Sequence, residues 1–248
     1  MCIFSADITV NSTKVLAGLL PNNRRLLGYQ NSVVSKTPNV MMLPIPTNNL
    51  VVQFYDTTTY AKFLDDISEK IVQRDLTGSR GMLAKGLDFE RVGQYQYKMV
   101  ESENVKSQLQ ELGQSIPRWL DEMLSAYSGW SWLFCIIDAN AEMKNQPLLI
   151  EYDSFVDDLY FPTMDVHGDH EIQKTVHRDH VLIIADPELM ASDTLAMSEE
   201  YDGFPYELYF TGITFSGYKG NGDAYAKLNI IPGKRNWNFR LENRYYAS

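Results

Sequence analysis

Six side chains in this sequence have types and spacing that could do chemistry. Cys2 follows Met1 directly and is small enough to permit removal of that methionine. Thiol and α-amine would then share one residue, and an amine with a pKa of about 7.7–8.0 can act as base for a thiol of about 8.5. Asn22 and Asn23, just beyond the second apolar run, are candidate oxyanion donors for such a nucleophile. Asp165, His167 and His170 form the second constellation, since carboxylate and imidazole are common ligands of divalent metals.

All four histidines lie between Val166 and Val181. A turn at Gly168–Glu171 between two strands, at about 3.3 Å per residue, would carry His180 roughly 25 Å or more from His167. His177 and His180 are three positions apart, so a regular strand points them to opposite faces. Only Asp165, His167 and the turn could converge, and the helical His-Glu-x-x-His spacing is absent. No metal or cofactor is therefore assigned. Glu151, Asp153, Asp157 and Asp158 could pair as acids, yet their spacing does not match a calcium loop. The loop from Gly217 to Gly222 lacks a following Gly-Lys-Ser/Thr and reads as a hairpin loop. Cys135, within Trp132-Leu-Phe-Cys-Ile-Ile137, reads as a small buried hydrophobe.

The elements that must position these groups are mostly strands. Cys2–Val10 alternates apolar and polar, Val15–Leu20 continues after a turn at Asn11-Ser12, and Arg25–Ser35 and Val40–Ile45 extend the pattern. After Val51–Tyr55 the period changes: Tyr60, Phe63, Leu64, Ile67 and Ile71 share one helical face. Two short strands around Gly93 follow, then a short helix over Val105–Leu112. A second helix is expected behind Ser115 and Pro117, with Trp119, Leu120, Met123, Leu124 and Tyr127 on its apolar face. Trp130–Ile137 is apolar on both faces, as a strand covered on both sides would be. Pro147–Tyr152, Leu159–His167 and Glu171–Asp186 then predict an antiparallel meander, with Gly168-Asp169 at a hairpin turn. A short helix within Pro187–Tyr201, a strand over Tyr206–Phe215 and a closing hairpin of Tyr225–Ile231 with Trp237–Leu241 complete the chain.

At 248 residues the chain is long enough to bury a core without disulfides, and its two cysteines show no framework spacing. No apolar run reaches the length of a membrane span, so a cytoplasmic setting without membrane attachment is expected. The net charge of −10 is uneven. Glu151–Phe210 holds fifteen acidic residues against Lys174 and Arg178, a net of −13, which leaves +3 for the rest. Duplex nucleic acid is not an expected ligand, because the basic residues cluster only modestly, at Lys234, Arg235, Arg240 and Arg244. The expected fold class is α+β: a mainly antiparallel β-sheet with two or three helices packed on it, in one domain over 1–248.

Several short motifs add up to a resemblance. They are Cys2-Ile-Phe-Ser5, Met42-Leu-Pro-Ile-Pro46, Val52-Gln-Phe-Tyr-Asp56 with Tyr60 and Phe63-Leu-Asp-Asp66, Val92-Gly-Gln-Tyr95, Tyr127-Ser-Gly-Trp130, Leu159-Tyr-Phe-Pro-Thr163, the segment around Val166-His167, and Asp179-His180. In this order the chain resembles an uncharacterised family of bacterial proteins that begin Met-Cys-x-Phe-Ser, although Asp165 stands where that family is expected to carry His. The resemblance covers 2–186 and implies one domain over that span; beyond it, the strand pattern of 187–248 is expected to extend the same sheet. The start, a cysteine opening a strand, is similar to N-terminal-nucleophile hydrolases. That similarity implies a Cys2-dependent hydrolase acting on an amide or related acyl bond. Two other functions fit the residues: a non-catalytic module binding a small molecule or protein through an acidic surface, and a metal-dependent enzyme built on Asp165, His167 and His170.

Overall fold

The computed structural model describes residues 3–72, 90–92, 95–138, 141–144, 146–174, 176, 180–189, 193–214, 221–231 and 234–242. Its strands are β1 (Ile3–Phe4), β2 (Thr9–Leu19), β3 (Arg25–Ser35), β4 (Asn39–Ile45), β5 (Gln53–Tyr55), β6 (Glu90–Val92), β7 (Tyr95–Glu101) and β8 (Ser131–Ile137). They continue with β9 (Ala141–Lys144), β10 (Leu148–Tyr152), β11 (Leu159–Phe161), β12 (Val166–His167), β13 (Val181–Asp186), β14 (Ala196–Met197), β15 (Tyr209–Thr214), β16 (Asp223–Ile231) and β17 (Lys234–Glu242). The helices are α1 (Phe63–Val72), α2 (Val105–Glu111) and α3 (Leu120–Ala126).

One sheet runs β12-β1-β4-β8-β7-β6, a second β14-β15-β13-β2-β3-β10-β5 with β9 also on β3, and a third β11-β16-β17. Pairing is mainly antiparallel, as expected, but β1–β12 and β2–β13 are parallel. Burial arranges these parts as layers. The first and second sheets face one another across Phe4, Met41, Leu43, Leu133 and Cys135 on one side and Val15, Leu27, Tyr29, Ile150, Leu182 and Ile184 on the other. Phe161, Ala224 and Ala226 of the third sheet join the same core. The outer face of the first sheet, with Ile3, Val40, Met42, Trp132 and Phe134, is covered by Val105 and Leu109 of α2 and Leu120 and Met123 of α3. The outer face of the second, with Leu16, Leu26, Leu149 and Ile183, is covered by Phe63, Leu64, Ile67 and Ile71 of α1. Close approach of α1 depends on Gly212 in β15: a Cβ there would stand 2.4 Å from the Leu182 carbonyl oxygen and 2.5 Å from Ile71 Cδ1.

This layering explains why β8 is apolar from Trp132 to Ile137. Trp132 and Phe134 face the helices, while Leu133 and Cys135 face the inter-sheet core. With each fully buried large apolar side chain contributing about 1.5–3 kcal/mol, the layers need no disulfide, and Cys135 is one of their fully buried side chains.

The predicted meander is corrected. β8 belongs to the first sheet, β10 to the second, β11 to the third, β12 to the first and β13 to the second. Gly168 does take positive φ, +64°, but among the described residues nothing beyond it pairs back onto β12. Its carbonyl accepts the Trp119 indole N–H at 2.8 Å, and Asp169 accepts from the backbone and guanidinium of Arg118, so the turn is fastened just ahead of α3. The Asn11-Ser12 turn is a β-bulge inside one long strand, with Ser12 at φ +53°. Where a helix was expected between Pro187 and Tyr201, the described residues form β14 and one 3-10 turn at Ser198–Glu200.

Candidate functional site

Two polar clusters interrupt the apolar layers. The first centres on Glu151 in β10, a strand buried at all five positions. β10 lies between β3 and edge strand β5, with Glu151 in register with Leu26 and Gln53. The hairpin joining β2 to β3 brings in two partners. Asn23 takes φ +64°, the Leu20 N–H donates to the Arg24 carbonyl at 3.0 Å, and the Arg24 N–H donates to Asn22 Oδ1 at 3.1 Å. That turn aims the Asn22 amide (3.1 Å) and the Arg24 guanidinium (2.6 Å) at Glu151 Oε1. Tyr55 of β5 and Tyr206, from the segment before β15, donate their phenols to Oε2.

A carboxylate accepts only, and this one is supplied from four side chains. Burial pushes Glu151 up, but the phenols of Tyr206 and Tyr55, the Asn22 amide and the Arg24 charge outweigh it and hold the carboxyl below its usual range. Burial and the bond to Glu151 push the Tyr55 phenol far above its ordinary value. Arg24 also reaches Asp153 at 3.0 Å, with its own side chain 27% exposed. The cluster clamps the β2–β3 hairpin, the edge strand and the approach to β15 around one anion.

The second cluster joins the 163–173 segment to the start of β16. The Asp223 carboxyl accepts the Thr163 and Met164 N–H groups at 3.0 and 3.1 Å and the Tyr127 phenol. Asn221 accepts the Asp165 N–H at 2.8 Å and donates to the carbonyls of Asp165 and Gln173 at 2.7 and 2.8 Å. Asp165 is 7% exposed and its Oδ1 stands 3.9 Å from His167 Nε2. His170 turns instead to Asp7, at 3.2 Å, both side chains being largely exposed. Asp165, His167 and His170 thus do not form one ligand set, and among the described residues no three His, Cys, Asp or Glu side chains gather around a point.

Cys2 lies outside the described residues, as do His177 and Gly217–Gly220 of the glycine loop. The strand that follows Cys2, β1, is in the first sheet, whereas Asn22 and Asn23 belong to a hairpin of the second. Asn22 is engaged with Glu151 and the Arg24 backbone, and Asn23 occupies the left-handed position of the turn.

Sequence reasoning passed over Arg24, Tyr55, Tyr206, Asn221 and Asp223. A signal existed for the first three: Glu151 interrupts Leu148-Leu-Ile-Glu-Tyr152, and an acid inside a strand covered on both faces requires donors. The acidic stretch also reads differently in three dimensions. Glu151 and Asp153 meet Arg24, Asp158 meets Arg240, Asp169 meets Arg118, and Glu200 meets Lys70. Four cations from the rest of the chain thus meet five acids of that stretch, so its described acids are not a uniform anionic surface. Among the described residues, no helix is long and apolar enough to cross a membrane.

No family profile matches the chain, and no curated protein matches it. Among solved structures it is similar to baculovirus P35, at 14% identity and a TM-score of 0.51, over 96% of this chain and 87% of that one. A mutated baculovirus P35 after caspase cleavage is similar at 14% identity and a TM-score of 0.50, over 88% of this chain and 97% of the other. At this identity the likeness is one of fold.

Proposed function

We propose that this chain is a non-catalytic binding protein whose partner is a protease of the caspase class. The observation behind the reading is the fold likeness to P35, which runs through nearly the whole of both chains, P35 being a protein whose mutated form is described after caspase cleavage. The described clusters suit a scaffold. Glu151, Asp223 and Asn221 are each committed to holding separate chain segments together, and a protein attacked by a protease must keep its shape during the encounter.

The test is to titrate the purified full-length chain into active caspases and follow both residual protease activity and the intact mass of the chain. The expected result is stoichiometric loss of activity with a single cut, the two fragments remaining in one particle. Undiminished protease activity with an uncut chain would overturn the reading. The Cys2-dependent hydrolase separates cleanly in the same material, because it would take an acyl group from a thiol-reactive ester without any protease present.

A further inference from the structure

The ends of the three sheets are unequal. The ends β12 and β14 have two residues each, β5, β6 and β11 have three, and β9, which pairs only with β3 among the described residues, has four, whereas β17 has nine. Short edge strands are one way proteins block unwanted pairing, and a long regular edge is a template for another strand. β17 pairs with β16 in an unbroken register from Asp223↔Glu242 to Ile231↔Lys234, and among the described residues it has no other ladder partner. It also lacks proline, and no bulge turns it away.

Its sequence, Lys-Arg-Asn-Trp-Asn-Phe-Arg-Leu-Glu, is complementary to itself when reversed about Asn238. Antiparallel pairing about that residue sets Lys234 opposite Glu242, Arg235 opposite Leu241, Asn236 opposite Arg240 and Trp237 opposite Phe239. Oppositely charged and aromatic pairs directly across a ladder are favourable. Neighbouring registers that keep the two faces matched are poorer: a centre at Trp237 sets Lys234 against Arg240, and one at Phe239 sets Asn236 against Glu242 and so loses the Lys234–Glu242 pair. The faces agree as well. Asn236, Asn238 and Arg240 are exposed on one side, while Trp237, Phe239 and Leu241 pack, half-buried, against the inter-sheet core on the other. Ile230, 75% exposed near the hairpin tip, pairs with Arg235 and would fall in one row with Leu241 of the second copy.

We infer that β17 is a self-recognition edge, at which two copies of this chain join their third sheets into one six-stranded antiparallel sheet across a two-fold axis at Asn238. Such an isologous contact uses each side-chain pair twice and closes on itself, so it makes dimers and not filaments. The proposal stands independently of any protease partner.

Sedimentation of the full-length chain at micromolar concentrations should show a dimer. Lys234→Glu alone and Glu242→Lys alone each set like charges together twice and should weaken it by at least about tenfold. Mixing the two variants pairs every Glu with a Lys and should restore a heterodimer close to wild-type affinity. Circular dichroism of each variant, unchanged from wild type, confirms that the fold is intact. A wild-type chain that stays monomeric, or single variants that dimerise as well as wild type, or a mixture that fails to recover, would each overturn the assignment.

Discussion

Glu151 and Asp223 are both acids at 3% exposure or less, and the molecule satisfies them by different means. Glu151 sits near the mouth of the second sheet, where Arg24 can reach it while keeping part of its guanidinium in water. Asp223 lies deeper, and its described partners are two backbone N–H groups and a phenol. Arg24 keeps part of its own hydration while it meets Glu151, which limits the several kcal/mol that burying a full counter-charge costs. The difference also sets what each site does. The Glu151 clamp holds the β2–β3 hairpin, edge strand β5 and the approach to β15, and the Asp223 tie fastens the third sheet to the segment that leads into β12 of the first.

The sharpest way to break this comparison is Asp223→Ala. It would leave the Thr163 and Met164 N–H groups and the Tyr127 phenol without that acceptor inside the core, and urea unfolding should show a loss of about 3–5 kcal/mol. A loss below 1 kcal/mol would mean that water reaches the site and that it is no deeper than the first. Glu151→Gln should cost less, about 1–2 kcal/mol at neutral pH, since Arg24 keeps Asp153 and some water. This cost depends on pH. A carboxyl held below its usual value contributes stability above about pH 4.3, the ordinary Glu value, and loses it as pH falls through the depressed folded-state value. Wild type and Glu151→Gln should therefore converge in acid, and curves that stay parallel down to strong acid would place the stabilisation elsewhere. The smallest effect is expected for Asp169→Ala. Both Asp169 and Arg118 are largely exposed, so the thermal midpoint should not move measurably.

Element identities were largely legible in the sequence, because burial on one or both faces writes a period into the residues. The range read for Arg25–Ser35 is that of β3, and the doubly apolar Trp130–Ile137 run contains β8, covered on both faces. Partners were not legible. Leu159–His167 breaks into two short strands that join different sheets, and nothing in Val166-His167 announces a parallel pairing with Ile3-Phe4. Hydrophobic alternation specifies which face is buried and is silent on which strand lies alongside. The candidate clusters were hidden for a related reason. Arg24 and Glu151 are 127 positions apart, and Asn221 and Asp165 are 56 apart, so their complementarity exists only after the sheets form. The Gly220-Asn-Gly-Asp223 stretch looked like turn chemistry alone, yet its Asn and Asp carry the tie to the first sheet.

The position of β13 also governs the order in which the chain can fold. β2 and β3 form a hairpin early, but the other edge of β2 receives β13 only when Lys14 meets Val181 and Ala17 meets Ile184. At a synthesis rate of about 5–20 residues per second, that edge waits roughly ten to thirty seconds on the ribosome. Through that interval Val15, Leu16 and Ala17 present an apolar strand without its second neighbour. Non-local pairing of this kind slows the search for the native state and leaves the nascent chain open to aggregation. Refolding yield should therefore depend more steeply on protein concentration than the stability of the finished sandwich would suggest.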